Sequence, residues 1–458
     1  MVEWINVPFE GEGAGFGGLT WGQQQIWRAM VEVESSMSIG GVVPVTDGRV
    51  LADFVEELRF LMSRFAALRS RLVFDRPEHA TSRDTCSLVR QQVFAAGEAV
   101  LEVHDVDPAG DPAVVAAGIF SDWQARKFDY TGEWPIRQAV VRQAATITHV
   151  VVVVCHVAVD GGALGVMIRE LRDQDSVTGT PHRPYTAMQP LELVAAQASA
   201  RRTTEAAMRY WERCLRAIDS RRFAVGPIDR GEPRWRRVVW RSPAFMLAAQ
   251  RIAAGVDVDS GAVVLAAFAV AFSRIAGNAG PFAAQVVVSN RFRPGLADVV
   301  SPLAENGLVV IDVADSAAED VVRRARQALT QASKHAYYEP DVRLELIDRI
   351  GRERGAPIDL AVLYNDRRVG AGKAPDPAGP LPTGQEVRGA LPLTETVSES
   401  SIVVFNEKLM VHVDDVPGTI QVTVDVDTHY LAIEDLYRLL AGMEAFTVLA
   451  SVDGTPYG

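Results

Sequence analysis

Residues 151–162 read Val-Val-Val-Val-Cys-His-Val-Ala-Val-Asp-Gly-Gly and hold the strongest chemical signal in the chain. His156 closes an apolar run, Asp160 follows four positions on, and Gly161 and Gly162 precede a helical pattern. A neutral imidazole in such a place needs a partner for its N–H, and a buried carboxylate needs a cation. General acid–base work is the chemistry this histidine offers. For an isolated His-x-x-x-Asp, a satisfied structural histidine at a strand end is the more frequent outcome. Cys155 lies inside the valine run and reads as a small buried apolar residue. A nucleophilic role would need a depressed pKa, and His156 is its only evident basic neighbour. The two glycines allow close backbone approach, with the first amides of a helix at Ala163 facing an oxyanion, or else make a plain strand-to-helix turn.

The elements that must position these residues follow from periodicity. The nearly unbroken valines of Ile147–Cys155 predict a strand buried on both faces, and Ile136–Gln143 predicts a strand before it. Ala163–Leu171 restarts as a helix. Upstream, helices are predicted at Trp21–Val33 and Leu51–Leu68, the latter with Phe54, Val55, Leu58, Leu61, Met62 and Phe65 on one side. Strands are predicted at Cys86–Phe94 and Ala99–His104, and Asp111-Pro112 opens a further helix by cap chemistry. A Pro/Gly/Thr-rich stretch at Thr178–Pro190 marks a linker, which places the domains at 1–180 and 181–458.

The second half repeats the mixture. Helices are expected at Leu191–Ala217, Pro243–Gly255, Gly261–Ile275, Ala317–Ser333 and Pro340–Ile350, with a closing helix at Ile433–Leu449. Strands are expected at Ala284–Ser289, Leu308–Val313, Ile358–Tyr364, Ser401–Phe405, Leu409–Val413 and Thr419–Asp425. Gly370–Pro382 reads as a surface loop. Both halves are therefore α/β with mixed sheets.

Composition narrows the function classes. The 458 residues are 48% hydrophobic and 23% charged, enough for a substantial core and unlike a disordered chain. A net charge of −12 argues against nucleic acid and anionic lipid as partners. Three scattered cysteines, Cys86, Cys155 and Cys214, make neither a disulfide framework nor a metal cluster. Ile147–Val159 is too short for a membrane span, and the opening Met-Val-Glu-Trp lacks a secretory pattern, so a cytoplasmic protein is expected.

Further stretches change the weight of His156. Leu19–Trp27, with Thr20, Gln23 and Trp27, resembles the opening motif of the condensation domains of nonribosomal peptide synthetases. Arg64–Ser70 with Phe74 resembles their second motif, and Lys127–Arg137 their Phe-Asp-Leu-x-x-Gly-Pro-Leu-x-Arg stretch. Cys155–Gly161 is similar to their His-His-x-x-x-Asp-Gly signature, with cysteine for the first histidine. Tyr210-Trp211, Ser289–Leu296 and Asn306 fit the linker-helix, crossover-loop and Val-Asn-Thr motifs, and Asp425–Leu440 their closing segment. The order is the family's, along essentially the whole chain.

The resemblance implies two chloramphenicol-acetyltransferase-like lobes in a V-shaped pseudo-dimer with a tunnel between them, and a crossover near 289–306. It makes His156 the catalytic residue, which takes a proton from an amine or hydroxyl attacking a carrier-bound thioester, or holds that nucleophile in place. Asp160 pairs with the crossover Arg291 as structural support together with Gly161, and Cys155, Gly162 and Asn306 are site neighbours. No metal or bound cofactor is implied; a carrier protein presents the phosphopantetheine arm. With no adenylation or carrier segment in view, a free-standing, monomeric acyltransferase of natural-product biosynthesis is expected, forming an amide or ester. Twelve arginines between Arg201 and Arg241 suggest a docking face for an acidic carrier, or else a solvated helix face. A recruitment domain without catalysis and a coenzyme A-dependent acyltransferase of the same superfamily remain the alternatives.

Overall fold

The computed structural model describes residues 2–173, 183–223, 226–277, 280–314, 316–369, 380–402 and 407–453. They fall into two compact units: Met1–Arg201 with Ser289–Ala304, and Arg202–Val288 with Glu305–Gly458. The boundary lies after Arg201, not at 180, because residues 183–201 are tied to the first unit: Gln189 Oε1 accepts from the Ala66 amide at 3.0 Å and Gln197 Oε1 from the Trp21 amide at 2.9 Å. Part of the expected linker, residues 178–182, lies outside the described residues, as do most of the Gly370–Pro382 loop and the end of the Ser401–Phe405 strand.

The first unit begins with β1 (Val2–Glu10), β2 (Gly15–Gly18), α1 (Trp21–Glu32), β3 (Ile39–Pro44), α2 (Leu51–Arg64), β4 (Ser70–Val73) and β5 (Arg90–Val93). It continues with β6 (Ala96–Val106), α3 (Pro112–Ala125), β7 (Ile136–Gln143), β8 (Thr146–Val154), α4 (Gly161–Arg172) and α5 (Pro190–Ala198). Its main sheet has the order β1-β6-β7-β8-β3, with only β6 and β7 parallel. Strand β8 has strands on both sides, and the alternation of its side chains divides them between two cores. Val150 and Val154 face a core shared with α2 and α4, while Val151 and Val153 face one shared with α1 and α3.

Caps set the helix starts. Thr20 and Gln23 form a reciprocal capping box at α1, and Asp111 accepts from the Ala113 amide at 2.8 Å before Pro112 opens α3.

In the second unit the order is α6 (Arg201–Ala217), β9 (Trp235–Ser242), α7 (Pro243–Val256), α8 (Ser260–Ala276), β10 (Phe282–Val288), β11 (Glu305–Ile311) and α9 (Ala318–Lys334). Then come α10 (Pro340–Arg354), β12 (Val362–Asp366), α11 (Gly384–Ala390), β13 (Glu395–Ser401), β14 (Leu409–Val416), β15 (Thr419–Asp427) and α12 (Ile433–Asp453). The seven strands are ordered β11-β10-β12-β14-β15-β9-β13. Helix α8 is the spine of this core, buried at every residue from Gly261 to Phe272. Among the described residues no single helix is long and apolar enough to cross a membrane.

Several elements differ from expectation. The single helix predicted over Leu191–Ala217 is two, α5 and α6, broken at Ser199-Ala200. The strand predicted at Ile358–Tyr364 starts only at Val362, because Asp359 and Lys408 form an ion pair (2.9 Å) and the Asp359 amide donates to Ser220. Strand β13 ends at Ser401, where a strand was expected to begin.

Candidate active site

His156 stands just beyond the last ladder residue of β8. The Cys155 amide donates to the Pro135 carbonyl at 2.9 Å and the His156 amide to the Ser36 carbonyl at 3.3 Å, so the chain leaves the sheet under restraint. The His156 side chain is half-buried, and its Nδ1 lies 2.9 Å from the Val159 carbonyl oxygen. A carbonyl only accepts, so Nδ1 carries the hydrogen in this contact, and the neutral ring presents an unprotonated Nε2. No described residue hydrogen-bonds that nitrogen. The geometry suits a general base whose tautomer is set from behind.

Four residues on, Asp160 is 4% exposed and saturated. Its Oδ1 caps α4 through the Ala163 amide at 2.7 Å and lies 2.8 Å from Arg291 Nη2. Its Oδ2 accepts from Arg291 Nη1 at 3.0 Å and from the Leu303 and Ala304 amides at 2.9 and 3.2 Å. Arg291 Nη2 also donates to the Val299 and Ser301 carbonyls, so the guanidinium is held by both the carboxylate and its own segment. Asp160 is therefore the anchor by which residues 289–304 return to the first unit. Removing one partner of such a buried pair costs about 3–5 kcal/mol.

The glycines divide the remaining work. A Cβ on Gly162 would sit 2.6 Å from Arg291 Nη1 and 2.8 Å from its Cζ, so only glycine admits the guanidinium there. A Cβ on Gly161 would meet nothing within 4 Å. The Ala163 amide is already spent on Asp160, which removes it as an oxyanion donor. Cys155 continues the inward face of Val151 and Val153, and burial pushes its thiol up to about 12. At ordinary pH it is a protonated apolar filler, not a nucleophile.

Other motif residues are structural supports. Arg64 of α2 pairs with buried Glu170 of α4, holding that helix at its far end. Arg69 donates to the Gly11, Glu12 and Phe94 carbonyls. Arg137 donates to the Trp123, Arg126 and Lys127 carbonyls and pairs with Glu133 at 2.7 Å. Asn306 belongs to the second unit, where it donates to Gln285 at 3.2 Å and its carbonyl accepts from Tyr338. The structure thus gathers His156, Asp160, Gly161, Gly162, Cys155 and Arg291 in the first unit and Asn306 in the second. Within the arginine-rich stretch, four residues form ion pairs inside the second unit: Arg216 with Glu212 and Glu353, Arg234 with Asp427, Arg236 with Glu399 and Arg237 with Asp425.

The Leu303 and Ala304 amides on Asp160 were not foreseen, since backbone donors carry no residue-type signal. Tyr185 was missed because it fell in the supposed linker; its hydroxyl donates to the Asp298 carbonyl at 2.6 Å and accepts from the Val300 amide at 3.2 Å. Among the described residues no group of three or more His, Cys, Asp and Glu is arranged to hold a metal.

No family model matches the chain, and no curated protein matches it by sequence. Solved structures do. The chain is similar to the structure that gives the molecular basis for condensation domain-mediated chain release from the enacyloxin polyketide synthase, at 17% identity and TM-score 0.69, covering 98% of this chain and 85% of that one. It is similar to the SgcC5 protein of Streptomyces globisporus, solved with (R)-(-)-1-(2-naphthyl)-1,2-ethanediol and sucrose, at 18% identity and TM-score 0.69, covering 96% and 100%. It is also similar to the X-domain in its complex with OxyB from teicoplanin biosynthesis, at 18% identity and TM-score 0.67, covering 97% and 95%. The protein therefore has a mixed α/β fold of the condensation-domain class. The likeness extends over nearly the whole chain, and at these identities it speaks for the fold.

Proposed function

We propose that the protein is a condensation enzyme that joins an acyl or aminoacyl thioester, carried on the phosphopantetheine arm of a carrier protein, to an amine or hydroxyl acceptor. The observation that carries this reading is the His156 ring, pinned at Nδ1 and open at Nε2 on a half-buried side chain. The acceptor attacks the thioester carbonyl, and its proton passes to Nε2. The tetrahedral intermediate then expels sulfur, which takes up the proton held by His156. The products are an amide or ester and the free thiol of the arm. Positioned general-base catalysis contributes about 10²–10⁴-fold to such a step. A hydroxyl acceptor needs that base more than an amine that arrives already neutral.

A second reading has support in the likeness to the X-domain, which was solved in complex with OxyB: a domain that recruits another protein. His156, Asp160 and Gly161 favour catalysis, since recruitment alone requires no open imidazole. One experiment separates the readings. The protein is incubated with carrier-bound thioesters, with coenzyme A thioesters, and with a panel of amines and alcohols, and products are read by mass spectrometry. Product formation from the carrier-bound donor, lost in His156→Ala, is expected. No product from any pair, or a fully active His156→Ala, would contradict the proposal.

A further inference from the structure

We propose that Ser36 is the positioning residue of His156, its backbone carbonyl holding the histidine amide while its hydroxyl is locked in place by Phe128 and Tyr130. The inference rests on the catalytic reading of His156 and extends it to a loop that no motif singled out.

The histidine needs such a support because it lies beyond the sheet. Val154 is the last ladder residue of β8, paired with Ile39 and Ile136. Past that point the Ser36 carbonyl provides the next rung, 3.3 Å from the His156 amide and 4.0 Å from the Cys155 sulfur. From the other side the Val159 carbonyl holds the ring. Two carbonyls thus define the histidine, one at its backbone and one at its side chain. Val159 belongs to the signature itself, whereas Ser36 arrives from the loop after α1.

That loop is built to hold one conformation. Ser36 is 2% exposed and lies between Glu34 and Met37, non-glycine residues with φ of 51° and 46°. Such backbone persists only where its surroundings over-determine it. Here the surroundings are the Ser36 hydroxyl, which accepts from the Phe128 amide at 2.8 Å and lies 3.0 Å from the Tyr130 hydroxyl. Tyr130 is fixed in turn. Its ring meets Trp27 edge-on at 4.9 Å, and its carbonyl accepts from the Leu72 amide at 2.8 Å. Burial raises its phenol to about 12, so it keeps its proton at working pH. An alanine at 36 keeps the carbonyl but leaves the buried Phe128 amide without its acceptor, and the loop is then free to shift. A shift of about 1 Å at a reacting group is enough to cost up to 10²-fold in rate.

The test uses Tyr130→Phe and Ser36→Ala in the full chain, with turnover, thermal midpoint and the ring resonances of His156 measured on each. Histidine labelled at ring carbon supplies the resonances, and His156→Ala identifies the relevant one. Expected are a fall in kcat of about tenfold for Ser36→Ala and about threefold for Tyr130→Phe, with KM within about twofold and the His156 resonance displaced in both. If Ser36→Ala fails to fold, Tyr130→Phe decides by the same criteria. Unmoved His156 resonances with full turnover per folded molecule, and only a lower midpoint, would overturn the proposal and reduce Ser36 to a loop staple. A fully active His156→Ala would instead overturn the catalytic reading, and the resonances would then judge the Ser36 contact independently of turnover.

Discussion

The two ends of one short loop behave as opposites. At residue 160 the carboxylate is buried, caps a helix, pairs with a guanidinium and accepts two further backbone amides. At residue 156 the imidazole is half-buried and spends one nitrogen on a carbonyl while the other stays open. A saturated group has no capacity left for a substrate, and an unsaturated one beside it is held still by its neighbour's bonds. The contrast separates the residue that holds the chain together from the one available to react.

The largest expected effects test that division directly. Asp160→Ala strands Arg291 and should lower unfolding free energy by about 3–5 kcal/mol, read by denaturant titration or as loss of soluble protein. His156→Ala should leave the unfolding free energy within about 0.5 kcal/mol of the parent and reduce turnover by about 10²–10⁴-fold. Equal loss of stability in both variants would erase the contrast.

Acid titration sharpens it. His412, in the second unit, is buried and its folded-state pKa is lowered from 6.5 to about 4, first by desolvation and then by Arg367. The unfolded chain therefore takes up a proton before the folded one does. Stability from this group is complete above about pH 6.5 and falls as pH drops towards 4, by about 3 kcal/mol at most. A His412→Gln variant should flatten that fall, read by denaturant titration at stepped pH.

The glycines carry a smaller version of the same comparison. Gly162→Ala pushes a methyl group into the Arg291 guanidinium and should cost about 1–3 kcal/mol. Gly161→Ala enters open space and should change stability by less than about 1 kcal/mol in either direction. Cys155→Ala removes one buried sulfur at a cost of about 1–2 kcal/mol, more than Gly161→Ala, and should retain turnover. In the folded protein its thiol should resist alkylation.

How far the sequence was legible follows the same physics. The valine run predicted β8, and the Asp-Pro pair at 111–112 marked a helix start, because both signals are local. Strand β9 escaped notice because Arg234, Arg236 and Arg237 read as solvated charge, yet they pair with Asp427, Glu399 and Asp425 across the sheet. The edge strands β1 and β3 were missed for a related reason: much of each faces solvent, so no apolar run betrays them. In the site, the residue-type pattern brought out His156 and Asp160, and the family resemblance added Arg291. It was silent on Ser36, Leu303 and Ala304, whose decisive contacts are made by backbone atoms.

The central claim is that His156 does chemistry while Asp160 holds the fold. Single-turnover transfer from a carrier-bound thioester, compared between the parent and a His156→Ala protein of matched unfolding midpoint, tests it most directly. A folded variant slowed by about 10²-fold or more is the predicted result. Transfer at the parent's rate would contradict it.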